Sequence, residues 1–206
     1  MIQLYGLRMS NYYSLTKALL IEKGVEFEEV KAPPTQEADN LARTPMGRMP
    51  SIGVDGTFMS ESLAIATYLE RTYPEPPLLP ADPLAAGKAM ELACHIKLNV
   101  ELVARRCLPE AFFGQTVSDE TKATTEADLA KGMAAVDRIF VGAPYAAGAT
   151  LTIADFYTFY CFGLASGITQ KIFGQDLLAD HPKIQAVMAL MAKHPSVARV
   201  EADKAT

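Results

Sequence analysis

Groups that could bind an amino-acid-like ligand lie close together between Met49 and Ser62. An Asp55-Gly56 pair separates two short apolar runs there, and Glu61 and Ser62 open a helical pattern. Asp-Gly between apolar runs predicts a β-hairpin, because glycine accepts the positive φ that the turn requires. The start of the helix offers backbone N–H groups and the Ser62 hydroxyl to a carboxylate, and the Glu61 carboxylate can accept from an ammonium group. The segment therefore predicts a site for the α-carboxylate and the α-amine of one ligand.

The elements that position this segment alternate between strand and helix. Residues 1–73 show the order β-α-β-α-β-β-α, with a first strand at residues 2–5 and a first helix at residues 14–23. Ser60 is expected to be the N-cap of the last of these helices. This order predicts a small mixed sheet covered by helices, whose first two strands are parallel through a right-handed crossover.

The chain changes character at a proline-rich segment. Five prolines fall within residues 74–83, and they can neither continue a helix nor pair in a central strand, so the segment is predicted to be a stiff linker. We therefore expect an α/β domain over residues 1–74, a linker over residues 75–83 and an all-helical domain over residues 84–206.

The helical half has two long patterns and one distinct cap. Apolar periodicity predicts helices over residues 84–107 and 119–141. Thr152 and Asp155 have the spacing of a capping box that opens a strongly apolar helix. We expect Asp155 to have this structural role rather than a catalytic one.

Composition and charge exclude several classes of function. The chain has 206 residues, half of them apolar, and a net charge of −5, with no run of lysine or arginine, so no nucleic-acid partner is expected. It has no stretch of about twenty apolar residues and no signal-peptide pattern, which predicts no membrane association and a cytoplasmic location. The three scattered cysteines form no disulfide framework, and the three histidines lack metal-ligand spacing, so no metal site is expected.

Two segments resemble the glutathione-binding half of the cytosolic glutathione transferases. Residues 44–50 (Thr-Pro-Met-Gly-Arg-Met-Pro) are similar to the family's Asn-Pro-x-Gly-x-Val-Pro segment. Residues 61–69 (Glu-Ser-Leu-Ala-Ile-Ala-Thr-Tyr-Leu) are similar to its Glu/Gln-Ser-x-Ala-Ile-x-x-Tyr-Leu segment. In the family, the first segment ends in a cis-proline and its backbone pairs with the cysteinyl unit of glutathione, while the second holds the γ-glutamyl end.

The resemblance implies a fold, a co-substrate and a set of contacts. It implies a thioredoxin-like N-terminal domain followed by an all-helical C-terminal domain, glutathione as co-substrate, and a homodimer. Carried over residue by residue, it implies that Met49, Pro50, Glu61 and Ser62 bind glutathione.

The loop after the first strand would then face the glutathione thiol. A thiol with a pKa near 8.5 is mostly protonated at neutral pH. A hydroxyl that donates to the sulfur near a helix N-terminus favours the thiolate, which is the nucleophile. Five hydroxyls could supply that donor: Tyr5, Ser10, Tyr12, Tyr13 and Ser14.

Among these hydroxyls, the resemblance favours Ser10. Residues 10–19 (Ser-Asn-Tyr-Tyr-Ser-Leu-Thr-Lys-Ala-Leu) are similar to the pattern Ser-Pro-x-Ser-x-x-Val-Arg-x-Ala-Leu of serine-type members, in which the first serine is catalytic. Asn11 replaces the usual proline and is a second possible donor to the sulfur. A simple N-cap is the alternative role for Ser10. The first cysteine is Cys94 and the Ser-Ser-Cys signature of the isomerase branch is missing, so neither a cysteine-based mechanism nor maleylacetoacetate-type isomerisation is expected.

The implied activity is that of a detoxifying glutathione transferase, whose glutathione thiolate attacks a small hydrophobic electrophile or reduces a hydroperoxide. The walls expected for the electrophile pocket are Met9, Tyr12, Arg105 and Phe112. Two alternatives stay open. One is a non-catalytic relative that binds glutathione or another ligand, or acts as a scaffold. The other is a glutathione-dependent disulfide reductase that uses two glutathione molecules and no protein cysteine.

Overall fold

The computed structural model describes Met1–Lys204, which form two compact units. The first unit contains Met1–Leu78 together with the chain from Lys193 onward, and the second contains Leu79–Ala192. The sequence-based division instead assigned everything after residue 83 to one helical domain. The difference arises because the last helix packs against the first helix of the chain, a contact that no local pattern reveals.

The first unit is built on a four-stranded sheet. Its strands are β1 (Ile2–Gly6), β2 (Phe27–Lys31), β3 (Ser51–Val54) and β4 (Thr57–Ser60). The order is β2-β1-β3-β4, with β1 parallel to β2 and antiparallel to β3, and with β3 antiparallel to β4. The predicted mixed sheet, its parallel first pair and the Asp55-Gly56 hairpin are therefore confirmed.

Four helices of the described chain belong to this unit, and α1 packs against two of the others. They are α1 (Asn11–Glu22), α2 (Ala38–Arg43), α3 (Ser62–Thr72) and α10 (Pro195–Lys204). Helix α1 packs against α3 and α10, and its Leu15 and Leu19 are buried together with Leu4 of β1. Full burial of one such side chain contributes roughly 1.5–3 kcal/mol. Helix α1 begins three residues before its predicted start, because Ser10 caps it.

The second unit is entirely helical. Its helices are α4 (Pro83–His95), α5 (Leu102–Ala104), α6 (Leu108–Phe113), α7 (Asp119–Asp137), α8 (Ile153–Phe173) and α9 (Pro182–Met191). Helix α8 is the centre of its core, with Phe156, Tyr157 and Phe162 fully buried. Among the described residues, no helix combines the length and the apolar character that crossing a bilayer demands.

The long helix predicted over residues 84–107 is helical but not α-helical throughout. Between α4 and α5 the backbone forms a π-helical segment, Ile96–Glu101, and a 3-10 turn follows at Arg105–Cys107. A Cβ atom at Gly132 of α7 would overlap the Asn99 carbonyl of this segment, so the π-helical backbone uses the space that the glycine leaves.

The predicted capping box at the start of α8 is confirmed. The Asp155 carboxylate accepts hydrogen bonds from the backbone N–H groups of Thr152 at 2.8 Å and of Ala146 at 2.7 Å. Burial raises the pKa of Asp155, and these hydrogen bonds oppose that change. The residue is fully buried, and its contacts fix the loop that precedes α8.

Candidate active site

The strand register places the predicted ligand-binding segments at one edge of the sheet. Tyr5 of β1 pairs with Ser51 of β3, and Ser51 pairs with Ser60 of β4. Gly6, which follows Tyr5, and the residues that flank Ser51 and Ser60 therefore meet at the same edge. Pro50 precedes Ser51 and Glu61 follows Ser60, so the two segments predicted to bind one ligand are neighbours in space.

The Met49-Pro50 peptide bond is cis, as the resemblance implies. Pro50 is buried and Met49 is half-buried. Gly6 adopts a φ of 152°, and a Cβ atom there would lie 2.5 Å from the Tyr13 ring and 3.4 Å from the Met49 Cβ. The absent side chain thus lets the start of α1 and the cis-proline segment both approach the end of β1.

Glu61 has the least usual backbone of the site. It is the N-cap of α3, with a φ of 70° and a ψ of 112°, and it is exposed. The prediction that Ser60 is the N-cap is wrong, because pairing with Ser51 keeps Ser60 in β4. Backbone strain of this kind costs of order 1–3 kcal/mol per residue and is found repeatedly at active sites.

The start of α3 suits an anionic group. Ser62 is its first residue and is 3% exposed. The Glu61 side chain makes no capping hydrogen bond, and the Ile65 N–H is the first to bond back to the Glu61 carbonyl, at 2.9 Å. Because the first turn of a helix directs N–H groups outward along its axis, this terminus can bind a carboxylate next to Glu61.

Ser10 lies at the N-terminus of the other helix at this edge. It is the N-cap of α1, half-buried, and its Oγ accepts a long hydrogen bond of 3.4 Å from the Tyr13 N–H. Its own N–H donates to the Leu7 carbonyl at 3.0 Å. A serine hydroxyl has one hydrogen and two lone pairs, so this capping contact leaves the hydrogen for a donor role.

Three of the other candidate hydroxyls donate to protein groups instead. The Tyr5 hydroxyl donates to Gln3 at 2.7 Å, the Tyr13 hydroxyl donates to Glu29 at 2.6 Å, and the Ser14 hydroxyl donates to the Arg8 carbonyl at 3.2 Å. Burial, with the bond to Glu29, raises the pKa of Tyr13 well above its ordinary value.

Asn11 and Tyr12, the remaining polar side chains of this loop, open α1. Asn11 is its first residue and is 9% exposed, and Tyr12 is half-buried. Asn11 therefore directly follows Ser10 in the sequence and shares its helix N-terminus.

The residues predicted to form an electrophile pocket belong to both units. Met9, next to Ser10, is 72% exposed, and Tyr12 follows in α1. In the second unit, Arg105 is ion-paired with the buried Glu101, and Phe112 is 45% exposed with the Lys171 Nζ 4.1 Å from its ring centre. The pocket stays a prediction.

A group of charged residues that the sequence did not predict contacts the loop between β1 and α1, residues 7–10, which we call the Ser10 loop. We call Arg8, Tyr13, Lys17, Glu29 and Asp203 the Glu29 cluster, because the first three all donate hydrogen bonds to Glu29. Burial alone would raise the pKa of Glu29, but the hydrogen bonds from Lys17, Tyr13 and Arg8 lower it to about 2. The only local signal was the pair of adjacent glutamates in β2, which did not reveal the partners.

No metal site accompanies these groups in the part of the chain that the structure describes, where no three His, Cys, Asp or Glu side chains are grouped to hold an ion. All three cysteines are free thiols, with Cys94 half-buried and Cys107 and Cys161 buried.

Comparison with known proteins identifies related chains. Residues 4–77 match the family model described as "Glutathione S-transferase, N-terminal domain", and residues 108–203 match "Glutathione S-transferase, C-terminal domain". A glutathione S-transferase of Pseudomonas putida is 40% identical over 204 residues, which cover 99% of this chain and 93% of that protein.

Solved structures share the fold over nearly the whole chain. A glutathione transferase homologue from Sulfitobacter, with bound glutathione, has a TM-score of 0.78 at 22% identity and covers 99% of this chain and 98% of its own. A maleyl pyruvate isomerase, described as a bacterial glutathione S-transferase of the Zeta class, has a TM-score of 0.75 at 24% identity and covers 96% and 95%. At these identities the likeness shows the fold alone.

Proposed function

The chain belongs to the glutathione S-transferase family, and we propose that it binds glutathione at the sheet edge of its first unit and activates the thiol with the Ser10 hydroxyl. The observation behind this proposal is which of the candidate hydroxyl groups already donate a hydrogen bond within the protein. The Ser10 hydroxyl lies at a helix N-terminus and donates to no other group among the described residues, whereas the hydroxyls of Tyr5, Tyr13 and Ser14 each donate to a protein acceptor.

Glutathione binding would use groups that follow one another along that edge. The Glu61 carboxylate accepts from the γ-glutamyl ammonium, and the Ser62 hydroxyl with the N-terminus of α3 binds the γ-glutamyl carboxylate. The backbone of Met49, before cis-Pro50, pairs with the cysteinyl unit. This order runs the peptide from α3 towards Gly6, which brings its thiol to the loop that contains Ser10.

The chemical step is the formation of a bond by the thiolate. Ser10 donates a hydrogen bond to the sulfur, and the N-terminus of α1 adds its positive potential, so the thiol loses its proton to solvent more readily. Each unit by which the thiol pKa falls is worth roughly 1.4 kcal/mol. The thiolate then attacks an electrophilic carbon and forms a C–S bond, while the leaving group departs with the bonding electron pair. Asn11 is a second candidate donor to the sulfur.

The electrophile is proposed to be small and hydrophobic, and Met9 and Tyr12 of the first unit are its proposed contacts there. A hydroperoxide is a second candidate substrate class. Assays with an aryl halide, an organic hydroperoxide and a glutathione-containing mixed disulfide distinguish transfer, peroxide reduction and disulfide reduction. A symmetric homodimer and a reducing, glutathione-containing cytoplasm are further parts of the proposal, and sedimentation velocity tests the dimer.

The decisive experiment is a titration with glutathione, followed by ultraviolet absorbance of the thiolate and by calorimetry in the same samples. We expect saturable binding and a thiolate signal at neutral pH, with Ser10→Ala losing the signal but retaining binding. Thr16→Val is the matched control, because it removes a buried hydroxyl of α1 that has no partner among the described residues. Asn11→Ala tests the second donor.

Other outcomes would change the assignment. Binding without a thiolate signal in the unmodified protein would favour the non-catalytic, ligand-binding alternative. A signal that survives in Ser10→Ala and disappears in Asn11→Ala would transfer the catalytic role to Asn11. Absence of glutathione binding would mean that the sheet edge preserves only the family's fold.

A further inference from the structure

Glu29 of β2 collects hydrogen bonds from three side chains of the Ser10 loop and α1. Arg8 donates through Nε at 3.2 Å and through Nη2 at 3.1 Å, the Tyr13 hydroxyl donates at 2.6 Å, and the Lys17 Nζ donates at 2.7 Å. The four bonds are divided between the two carboxylate oxygens. Lys17 is only 3% exposed, so this is a built cluster rather than a solvated set of surface charges.

Two of these anchors flank Ser10 in the chain. Arg8 lies two residues before it and Tyr13 three residues after it, and the Tyr13 N–H is the group that bonds to the Ser10 Oγ. The Tyr13 ring also lies against Gly6, at the end of β1. The loop and the first turn of α1 are therefore both fastened to the same carboxylate, with Ser10 between the two attachments.

We propose that Glu29 is a positioning residue, which holds the Ser10 loop and the first turn of α1 so that the Ser10 hydroxyl faces the glutathione thiol. The inference rests on the proposed role of Ser10. Glu29 acts through Arg8 and Tyr13, and no contact between Glu29 and the substrate is needed.

The charge of Glu29 is essential to this role. Its pKa of about 2 keeps it ionised at neutral pH, so both oxygens accept hydrogen bonds. A glutamine at this position would keep the shape, but its amide nitrogen would face donors of Arg8, Tyr13 or Lys17 and could not accept from them. At least one attachment of the loop would then be lost.

Asp203 of α10 extends the same support. Lys17 Nζ lies 2.6 Å from its carboxylate, and Arg8 Nη1 donates to its carbonyl at 3.0 Å. Because Arg8 and Lys17 are shared, the position of α10 bears on the Ser10 loop through the Glu29 cluster.

The test compares Glu29→Gln with the unmodified protein by the pH dependence of the thiolate absorbance of bound glutathione. We expect about a tenfold fall in the ratio of thiolate to thiol at neutral pH, which is one unit in the pKa of the bound thiol. A similar fall in kcat is expected, with the KM for glutathione almost unchanged, because the proposed binding groups are elsewhere. Glu28→Gln is the control, since the neighbouring Glu28 carboxylate is exposed and accepts a hydrogen bond from the Gln3 side chain rather than from Arg8, Tyr13 or Lys17.

A double-mutant cycle with Ser10→Ala separates positioning from general destabilisation. If Glu29 acts through Ser10, Glu29→Gln shifts the pKa of the bound thiol when Ser10 is present. The same substitution then has no further effect on that pKa when it is combined with Ser10→Ala. An unshifted thiol pKa in folded Glu29→Gln, or an equal shift in both backgrounds, would overturn the proposal.

Tyr13→Phe keeps the test decisive if Glu29→Gln fails to fold. It removes one donor to Glu29 and keeps the ring against Gly6, so a smaller shift in the same direction is expected, and an unchanged thiol pKa would contradict the role of Glu29. Failure of the proposed function is distinguishable, because it shows in proteins that retain Glu29. The unmodified protein would then give no thiolate signal, or Ser10→Ala would leave that signal intact.

Discussion

Glu61 combines a strained backbone with a proposed contact to the γ-glutamyl ammonium, and substitution can separate the two. Its φ of 70° is a conformation that glycine adopts without a Cβ clash. A strained residue of this kind costs about 1–3 kcal/mol, and glycine costs about 0.5–1 kcal/mol more than alanine in chain entropy. By difference, Glu61→Gly is expected to raise the free energy of unfolding by about 1 kcal/mol.

The same substitution is expected to weaken glutathione binding. It removes the carboxylate proposed to accept from the ammonium group, and a hydrogen bond that involves a charged group contributes about 1.5–3 kcal/mol. That range corresponds to an increase in Kd of about 10- to 100-fold. Glu61→Gly should therefore be more stable than the unmodified protein without ligand, and a weaker binder.

Urea denaturation without glutathione and calorimetric titration with glutathione measure the two effects separately. Glu61→Gln is the matched control, because it keeps the side-chain length and the strained backbone but loses the charge. Its free energy of unfolding should stay within about 0.5 kcal/mol of the unmodified value, while its affinity falls. A less stable Glu61→Gly beside an unaffected Glu61→Gln would refute the strain argument, and unchanged affinity in Glu61→Gln would refute the carboxylate contact.

Three other predictions concern stability. Asp155→Ala deprives two buried N–H groups of their acceptor and should lower the free energy of unfolding by about 3 kcal/mol. Asp155→Asn keeps one acceptor oxygen, so an equally large fall in its free energy of unfolding would count against this explanation. Lys23→Ala removes the buried ammonium that pairs with Glu70 at 2.6 Å and should cost about 3 kcal/mol, measured by urea denaturation, and a loss below about 1 kcal/mol would contradict it. The folded-state pKa of Glu29, about 2, lies below its ordinary value of 4.5. The contribution of Glu29 to stability is therefore present above pH 4.5 and is lost as the pH falls towards 2. Urea denaturation across that pH range should show a smaller loss of stability in Glu29→Gln than in the unmodified protein.

Local chemistry was sufficient to predict the mixed sheet formed by residues 1–73 and its hairpin. The Asp55-Gly56 turn fixes the hairpin, and the hairpin register then determines that Pro50 and Glu61 are neighbours. The same local rules misplaced the N-cap of α3 at Ser60. They rank serine above glutamate as a cap, but they contain no information about the pairing with Ser51 that holds Ser60 in a strand.

Long-range contacts explain the other differences. Asp203 reaches Lys17 across most of the chain, so neither α10's membership of the first unit nor the Glu29 cluster could follow from a local pattern. The π-helical segment likewise depends on a glycine in another helix, because the Asn99 carbonyl uses the space beside Gly132. These features arise only once separate helices pack together.

The N-cap role of Ser10, which the structure shows, does not conflict with its proposed role as a donor to a thiol. Capping uses a lone pair of the hydroxyl, whereas activation of a thiol uses its hydrogen, so one serine can do both. The Tyr13 N–H orients the Ser10 Oγ, and the Tyr13 hydroxyl is itself held by Glu29. A cap secured in this way restricts the directions available to the remaining hydrogen. The N-cap contact of Ser10 is therefore compatible with its proposed role as a donor to the glutathione thiol.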